Sequence, residues 1–272
     1  METIIKSTPG LLKINIQELW NYRELFYIFV WRDIKVRYKQ TIFGLGWAIF
    51  QPLVTMIIFS FFFGKLAGIP SGNLPYPVFV YTGLVFWTFF SSALTLSSNS
   101  LIEHNQLLQK VFFPRLIVPL AAIITCMVDF VITLLLAVVL IFIYHLHPHP
   151  LLVLIFPLQL LILFLTISGL GLFLSAFNVK YRDVRYILPF FIQILMFLTP
   201  VIYSLTIIAP RHKWLLLANP LTGIIESARV LISGSVLLNW QSMFISLLVS
   251  VAIFIFGLYY FRLTEKFLAD VA

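Results

Sequence analysis

Asn178-Val179-Lys180-Tyr181-Arg182-Asp183-Val184-Arg185-Tyr186 is a short basic turn set between two long apolar runs, one ending at Phe177 and the other opening with Ile187-Leu188-Pro189. Such a turn is too charged to lie in hydrocarbon and too short to fold by itself. It therefore fixes one side of a membrane and presents a surface there. Working outward, the flanking runs read as helices that cross a bilayer, and the chain as an all-α integral membrane protein.

Composition agrees. Of the 272 residues, 61% are hydrophobic and 10% charged, and the mean hydropathy is +1.03; about a quarter of a soluble domain is charged. Closed β-barrels alternate polar and apolar residues, and that alternation is missing. The formal charge of +8 does not indicate nucleic acid, because the basic residues are scattered through short turns instead of gathered on one face. The single cysteine, Cys126, lies in an apolar run and excludes an intrachain disulfide. The segment 1–14 lacks the apolar core and cleavage site of a signal peptide, so the amino terminus is expected in the cytoplasm.

Six spans are predicted, at 42–66, 77–98, 116–144, 151–177, 187–208 and 240–261, with Pro52 inside the first. All but four of the 18 basic residues then fall on the cytoplasmic side, the exceptions being Lys65, Arg211, Lys213 and Arg229. This is the positive-inside pattern, and an even number of crossings returns the carboxyl terminus to the cytoplasm. Three parts follow: 1–40 as a cytoplasmic segment, 41–262 as a single six-helix transmembrane domain, and 263–272 as a cytoplasmic tail. Within 15–40, Trp20, Tyr27, Trp31, Ile34 and Tyr38 share a helix face beside Arg32, Lys35 and Lys39, the pattern of an amphipathic helix lying in the membrane interface. The stretch 210–239 holds two apolar pieces too short to span, 214–218 and 221–232, broken by Asn219-Pro220. They are expected to dip into the outer leaflet as two re-entrant helices beside a pathway, the alternative being a plain outer loop.

Few residues offer chemistry of their own. No G-x-x-x-x-G-K-[ST] occurs, Gly64-Lys65-Leu66 being only a fragment, so the chain is not expected to bind or hydrolyse ATP. His145, His147 and His149 have metal-like spacing, but Pro148 and Pro150 interrupt them and no thiolate or carboxylate stands near. Asp129, inside the third run, is either a functional ionisable group or a hydrogen-bonded structural one, and no basic residue of another span is an obvious partner. Glu226 and Arg229 stand one helical turn apart and can pair. The segment 99–115 sets Leu101, Leu108 and Val111 on one helical face and Glu103, Gln106 and Lys110 on the others, a pattern that docks a partner. The 28 Phe, 11 Tyr and 6 Trp chiefly fit interfacial belts and helix packing.

In their order and spacing, several motifs resemble one family across nearly the whole chain. They are Trp31-Arg32-Asp33-Ile34-Lys35-Val36-Arg37-Tyr38 ahead of Leu45-Gly46-Trp47 and Gln51-Pro52; Lys110-Val111-Phe112-Phe113-Pro114-Arg115; and the opening turn. Leu198-Thr199-Pro200-Val201-Ile202-Tyr203, Asn219-Pro220-Leu221-Thr222-Gly223 and the run 261–270 complete them. The family is that of the permease subunits of ABC exporters, which move lipid-linked polysaccharides and teichoic acids across bacterial inner membranes.

The resemblance implies a homodimeric channel of twelve helices with two copies of a separate ATPase, which binds the ATP and Mg; no cofactor belongs to this chain. It implies ATPase contacts at Trp31, Arg32, Lys35, Arg37, Glu103, Gln106, Lys110, Arg115 and Arg182, and an outer gate including Trp214, Asn219, Pro220, Glu226 and Arg229. The substrate it implies is a polyprenyl-pyrophosphate-linked glycan, with O-antigen first and capsule or teichoic acid as the other polymers. Arg32, Arg37 and Arg182 are the candidates for meeting the pyrophosphate. Two further readings stay open: a proton-coupled secondary transporter using Asp129, and a membrane enzyme acting on polyprenyl lipids.

Overall fold

The structure is a computed structural model that describes residues 16–39, 44, 46–181 and 183–271. Residues 1–15, the start of the first expected span at Ile42, Leu45 of the motif and Arg182 lie outside the described residues. Within them there is no strand. The helices are α1 (Ile16–Asn21), α2 (Arg23–Lys39), α3 (Gly46–Phe59), α4 (Tyr76–Glu103), α5 (Asn105–Lys110), α6 (Ile117–Ile143), α7 (Leu151–Lys180), α8 (Val184–Leu198), α9 (Lys213–Leu217), α10 (Pro220–Ile232) and α11 (Trp240–Val271). Wide π-helical turns prolong α3 through Ser60–Leu66. The residues read as a carboxyl-terminal tail continue α11 to Val271.

Five helices among the described residues are long and apolar enough to cross a membrane: Gly46–Leu66, Tyr76–Glu103, Ile117–Ile143, Leu151–Lys180 and Trp240–Glu265. The expected span 187–208 is not one continuous helix. α8 has 15 residues, roughly 22 Å of helix, and stops at Leu198. Its end has a local cause: Thr199 precedes Pro200 and is extended, with φ −105 and ψ 135, as the proline ring demands of its neighbour. Asn219 likewise precedes Pro220 and is extended. There the side chain of Asn219 accepts from the Leu221 amide, so the break that ends one piece starts α10.

At the centre stands α4. Of its most apolar stretch 78% is buried inside the chain, against 11% for α3, which lies at the periphery. Around it, helices approach closely where side chains are small, the usual device when lipid removes the hydrophobic gain from helix pairing. Gly171 of α7 faces Ser97 of α4, and Gly223 of α10 faces Ser242 and Ser246 of α11. Gly169 of α7 meets Gly257 of α11 backbone to backbone. A Cβ on Gly169 would come within 2.6 Å of the Phe254 main chain, and one on Gly257 would fall on the Gly169 carbonyl.

That crossing leaves no room for a methyl group. Gly257→Ala is expected to lower the melting temperature of the detergent-solubilised protein by several degrees, reflecting overpacking of about 1–3 kcal/mol, whereas Ala252→Ser on the exposed face of α11 leaves it unchanged. An unchanged melting temperature for the alanine variant would show that the helices can part at no cost.

Candidate functional site

The chemistry-bearing side chains gather at opposite ends of the bundle. Phe79 and His104 mark the two levels along α4, separated by roughly 37 Å at the helical rise. At the upper level α8, α9 and α10 meet. Arg229 of α10 is buried there, and its guanidinium is the hub. Nε donates to the Phe79 carbonyl at 3.1 Å. One terminal nitrogen donates to the carbonyls of Pro200 at 2.7 Å and Tyr203 at 3.4 Å, and the other to that of Val201 at 2.6 Å. Glu226 completes the set at 3.2 Å, in the pairing that the one-turn spacing predicts, and the Phe79 ring lies 3.5 Å below.

Arg229 thus supplies, in one planar fork, the donors that the chain loses where α8 breaks at Pro200. The carboxamide of Asn219 reinforces the same joint, donating to Thr199 Oγ1 at 2.7 Å, and Tyr76 donates to the Ile202 carbonyl at 2.8 Å. Of the expected outer-gate residues, Asn219, Pro220, Glu226 and Arg229 belong to this buried joint. Trp214 stands apart, exposed on α9.

The lower level is built by α2. Its buried residue Phe29 packs with Leu101 of α4, Phe113, and Leu116, Ile117, Val118 and Ala121 at the foot of α6. Two turns further along α2, Arg37 reaches Asp129, near the middle of the 27-residue α6, at 2.6 Å. Tyr38 donates its hydroxyl to the other oxygen of Asp129, and Arg37 donates to Cys126 Sγ at 3.7 Å. Burial, then the adjoining carboxylate, holds the Tyr38 hydroxyl above its ordinary pKa, so it remains a donor. The carboxylate of Asp129 therefore has a cationic partner. It comes from the amino-terminal helix and not from another span. Because both contacts advance along α6 as α2 proceeds, α2 climbs beside α6 instead of lying square across its foot.

Around this node, Arg32 is held by Asp33 in two hydrogen bonds of 2.7 and 3.0 Å, touches His104 and covers the Phe29 ring at 5.2 Å. Trp31 is exposed, stacks on Tyr27 and carries Lys35 over its ring at 5.1 Å. Arg32 and Arg37, both candidates for meeting an anion, are thus already engaged by carboxylates. Below α4, residues Glu103, Gln106 and Lys110 are exposed, and Phe112 stands out with 69% of its surface free. Val111 is exposed too, so the inward face of this segment is Leu101, Leu107, Leu108 and Phe113. Arg115 turns inward and donates to the Glu265 carbonyl at 2.8 Å, tying the foot of α6 to α11. In the opening turn, Asn178 is fully buried and donates to the Ser98 carbonyl at 3.0 Å and to Asn99 at 3.1 Å.

A family model described as ABC-2 type transporter matches residues 24–233. The chain is 28% identical over 260 residues to the O-antigen export system permease protein RfbA of Klebsiella pneumoniae, spanning 96% of this chain and 98% of that one. It is 28% identical over 215 residues to RfbA of Myxococcus xanthus, spanning 78% and 81%. With the polysialic acid transport protein KpsM of Escherichia coli it shares 27% identity over 234 residues, spanning 82% and 89%.

The two polar nodes respond differently to substitution. Arg229→Lys replaces a five-donor fork by a point charge that cannot reach four carbonyls, and is expected to cost roughly 3 kcal/mol, measured as loss of folded, monodisperse protein on heating in detergent. Asp129→Asn leaves Arg37 without its counter-ion; the expected result is faster maleimide labelling of Cys126, which wild-type packing buries completely. An unchanged labelling rate would mean that the ion pair does not hold α2 against α6.

Proposed function

Because the chain belongs to the ABC-2 type transporter family, we propose that it is the channel-forming permease of an exporter that carries a polyprenyl-pyrophosphate-linked polysaccharide across the bacterial inner membrane, with ATP hydrolysed on a separate subunit. The observation that carries this reading is the end-to-end likeness to O-antigen export permeases. O-antigen is accordingly the first polymer to test, with capsule and teichoic acid next.

In this reading the polypeptide crosses six times. α8 and the extended segment after Pro200 together make the crossing that α8 is too short to complete, and both termini face the cytoplasm. The pieces α9 and α10 then sit within the outer leaflet, where non-helical backbone survives because Arg229 and Asn219 satisfy it. Two copies of the chain enclose the route, and two ATPase subunits holding ATP and Mg bind at the lower end. The exposed Gln106, Lys110 and Phe112 present the contact surface there, with Trp31, Lys35 and Glu103 beside it. Arg115 and Arg37 support that surface from within, and Arg32 stands beside it, tied to Asp33. Closure of the ATPases pushes on α5 and α2. α2 passes the push to α6 through Arg37 and Asp129, and the glycan headgroup crosses while its lipid tail stays in the bilayer. The ion pair also disfavours the proton-coupled alternative, since Asp129 is already committed to a fixed partner in Arg37 at 2.6 Å.

Reconstitution tests the reading. Liposomes containing the permease and its ATPase are expected to expose lipid-linked glycan on the far leaflet only with hydrolysable ATP. Absence of ATP-dependent movement with O-antigen, capsule and teichoic acid precursors would overturn it. In the same vesicles, Gln106→Ala with Lys110→Ala is expected to reduce transport-coupled hydrolysis several-fold while insertion into the membrane stays normal.

A further inference from the structure

Between α2, α4 and α6, in the lower half of the bundle, lies a cleft of about 510 Å³, a size within the roughly 300–1,000 Å³ of small-molecule sites. We propose that this cleft binds a sugar unit of the lipid-linked glycan through its hydroxyl groups; the inference rests on the exporter reading above and adds to it a place and a chemistry of recognition.

Donor and acceptor accounting on the cleft wall leads there. Ser91 donates to the Thr88 carbonyl at 3.2 Å, Thr95 to the Ser91 carbonyl at 2.7 Å, and Ser100 to the Ser97 carbonyl at 2.7 Å. On the facing helix, Thr125 donates to the Ala121 carbonyl at 3.0 Å. Each of these hydroxyls has a single proton and spends it within its own helix, so what it turns to the cleft is lone pairs. Two carboxylates add acceptor oxygens: Glu103, and Asp33 through the oxygen that Arg32 does not bind. The charged and ring donors on the wall are engaged: Arg37 by Asp129 at 2.6 Å and His104 Nδ1–H by the Ser100 carbonyl at 2.7 Å, while His104 Nε2 accepts from Arg32; Ser92 adds a hydroxyl that can both donate and accept.

An acceptor-rich wall selects a donor-rich ligand. A pyrophosphate, which brings only acceptors and negative charge, meets two carboxylates and no uncommitted cation among the described lining residues. A sugar ring brings several hydroxyl donors on one edge and C–H faces on the other, and Val36, Leu96 and Ala122 supply apolar wall for those faces. The amino-terminal helix thereby acquires a second task. Asp33 and Val36 form one side of the cleft while Arg37, next along the same helix, is anchored to α6, so a shift of α2 alters the width of the site.

The permease–ATPase complex in nanodiscs provides the test, with two probes: polyprenyl-pyrophosphate bearing a short oligosaccharide, and bare polyprenyl-pyrophosphate. Ser91→Ala with Thr95→Val removes two acceptor oxygens from the wall. It is expected to weaken binding of the glycan-bearing probe roughly fivefold to tenfold, the effect of one or two hydrogen bonds, and to leave binding of the bare probe as in wild type. Asp33→Asn is expected to act in the same direction and guards against a folding defect in the double variant, as does unchanged protection of Cys126. Equal loss for both probes, or none for either, overturns the proposal. So does a loss seen only in nanodiscs of phosphatidylethanolamine and not phosphatidylglycerol, which would assign the cleft to an ammonium headgroup. If wild-type complex moves glycan-lipid with ATP yet the variants bind both probes normally, the cleft assignment fails alone; if wild type neither binds nor moves it, the exporter reading fails as well.

Discussion

A main-chain carbonyl that leaves a helix inside an apolar bundle must find a donor, and most of the upper architecture follows from how that demand is met. Pro200 forces α8 to end, which frees carbonyls at Pro200, Val201 and Tyr203; Arg229 answers them and takes the Phe79 carbonyl as well. A charged group is costly to bury, yet here its charge is shared among four carbonyl dipoles, an aromatic face and Glu226. The arrangement joins α10 to α4 and to the end of α8 with one side chain. It also explains the glycine at 83: a Cβ there would stand 3.0 Å from both an Arg229 nitrogen and the Val201 carbonyl.

The lower end solves the opposite problem. Asp129 places a carboxylate in the middle of an apolar helix, and the remedy comes from outside the spans, from Arg37 and Tyr38. A charge inside the bundle thus serves as the address at which the amino-terminal helix docks. Phe29 and its neighbours supply apolar contact at the foot of α6, but apolar contact alone tolerates sliding, whereas an ion pair with a second hydrogen bond has one register. The same helix presents Trp31 and Lys35 outward, so whatever presses on its exposed side is felt at Asp129.

Much of this was legible beforehand. The long apolar runs other than 187–208 appear as helices that begin within a few residues of their expected starts, because hydropathy dictates where a span can lie, whereas α4 and α11 run five and ten residues past their expected ends at 98 and 261. α8 is shorter than the apolar run that contains it because Pro200 restricts the residue before it and marks the break. The partner of Asp129 was missed for a different reason: the pairing joins residues 37 and 129, and nothing local to either announces the other. Glu226 and Arg229 were found because their pairing is local to one turn, but the main task of Arg229, reaching carbonyls up to 150 residues away, has no trace in spacing. The commitment of Arg32 to Asp33 and His104 was equally hidden, and with it the acceptor-rich character of the cleft wall.

The fork of Arg229 grips only carbonyls in the segment after α8, and every amino acid carries the same carbonyl. Beyond Thr199, whose hydroxyl oxygen accepts from Asn219, and Pro200, which ends α8, anchorage of that segment is therefore blind to the identity of its residues. Side chains at 201–204 can be exchanged, within the room their neighbours leave, while the backbone stays moored at the same points. A protein built this way can vary the texture of its upper end across descendants without redesigning what holds that end in place.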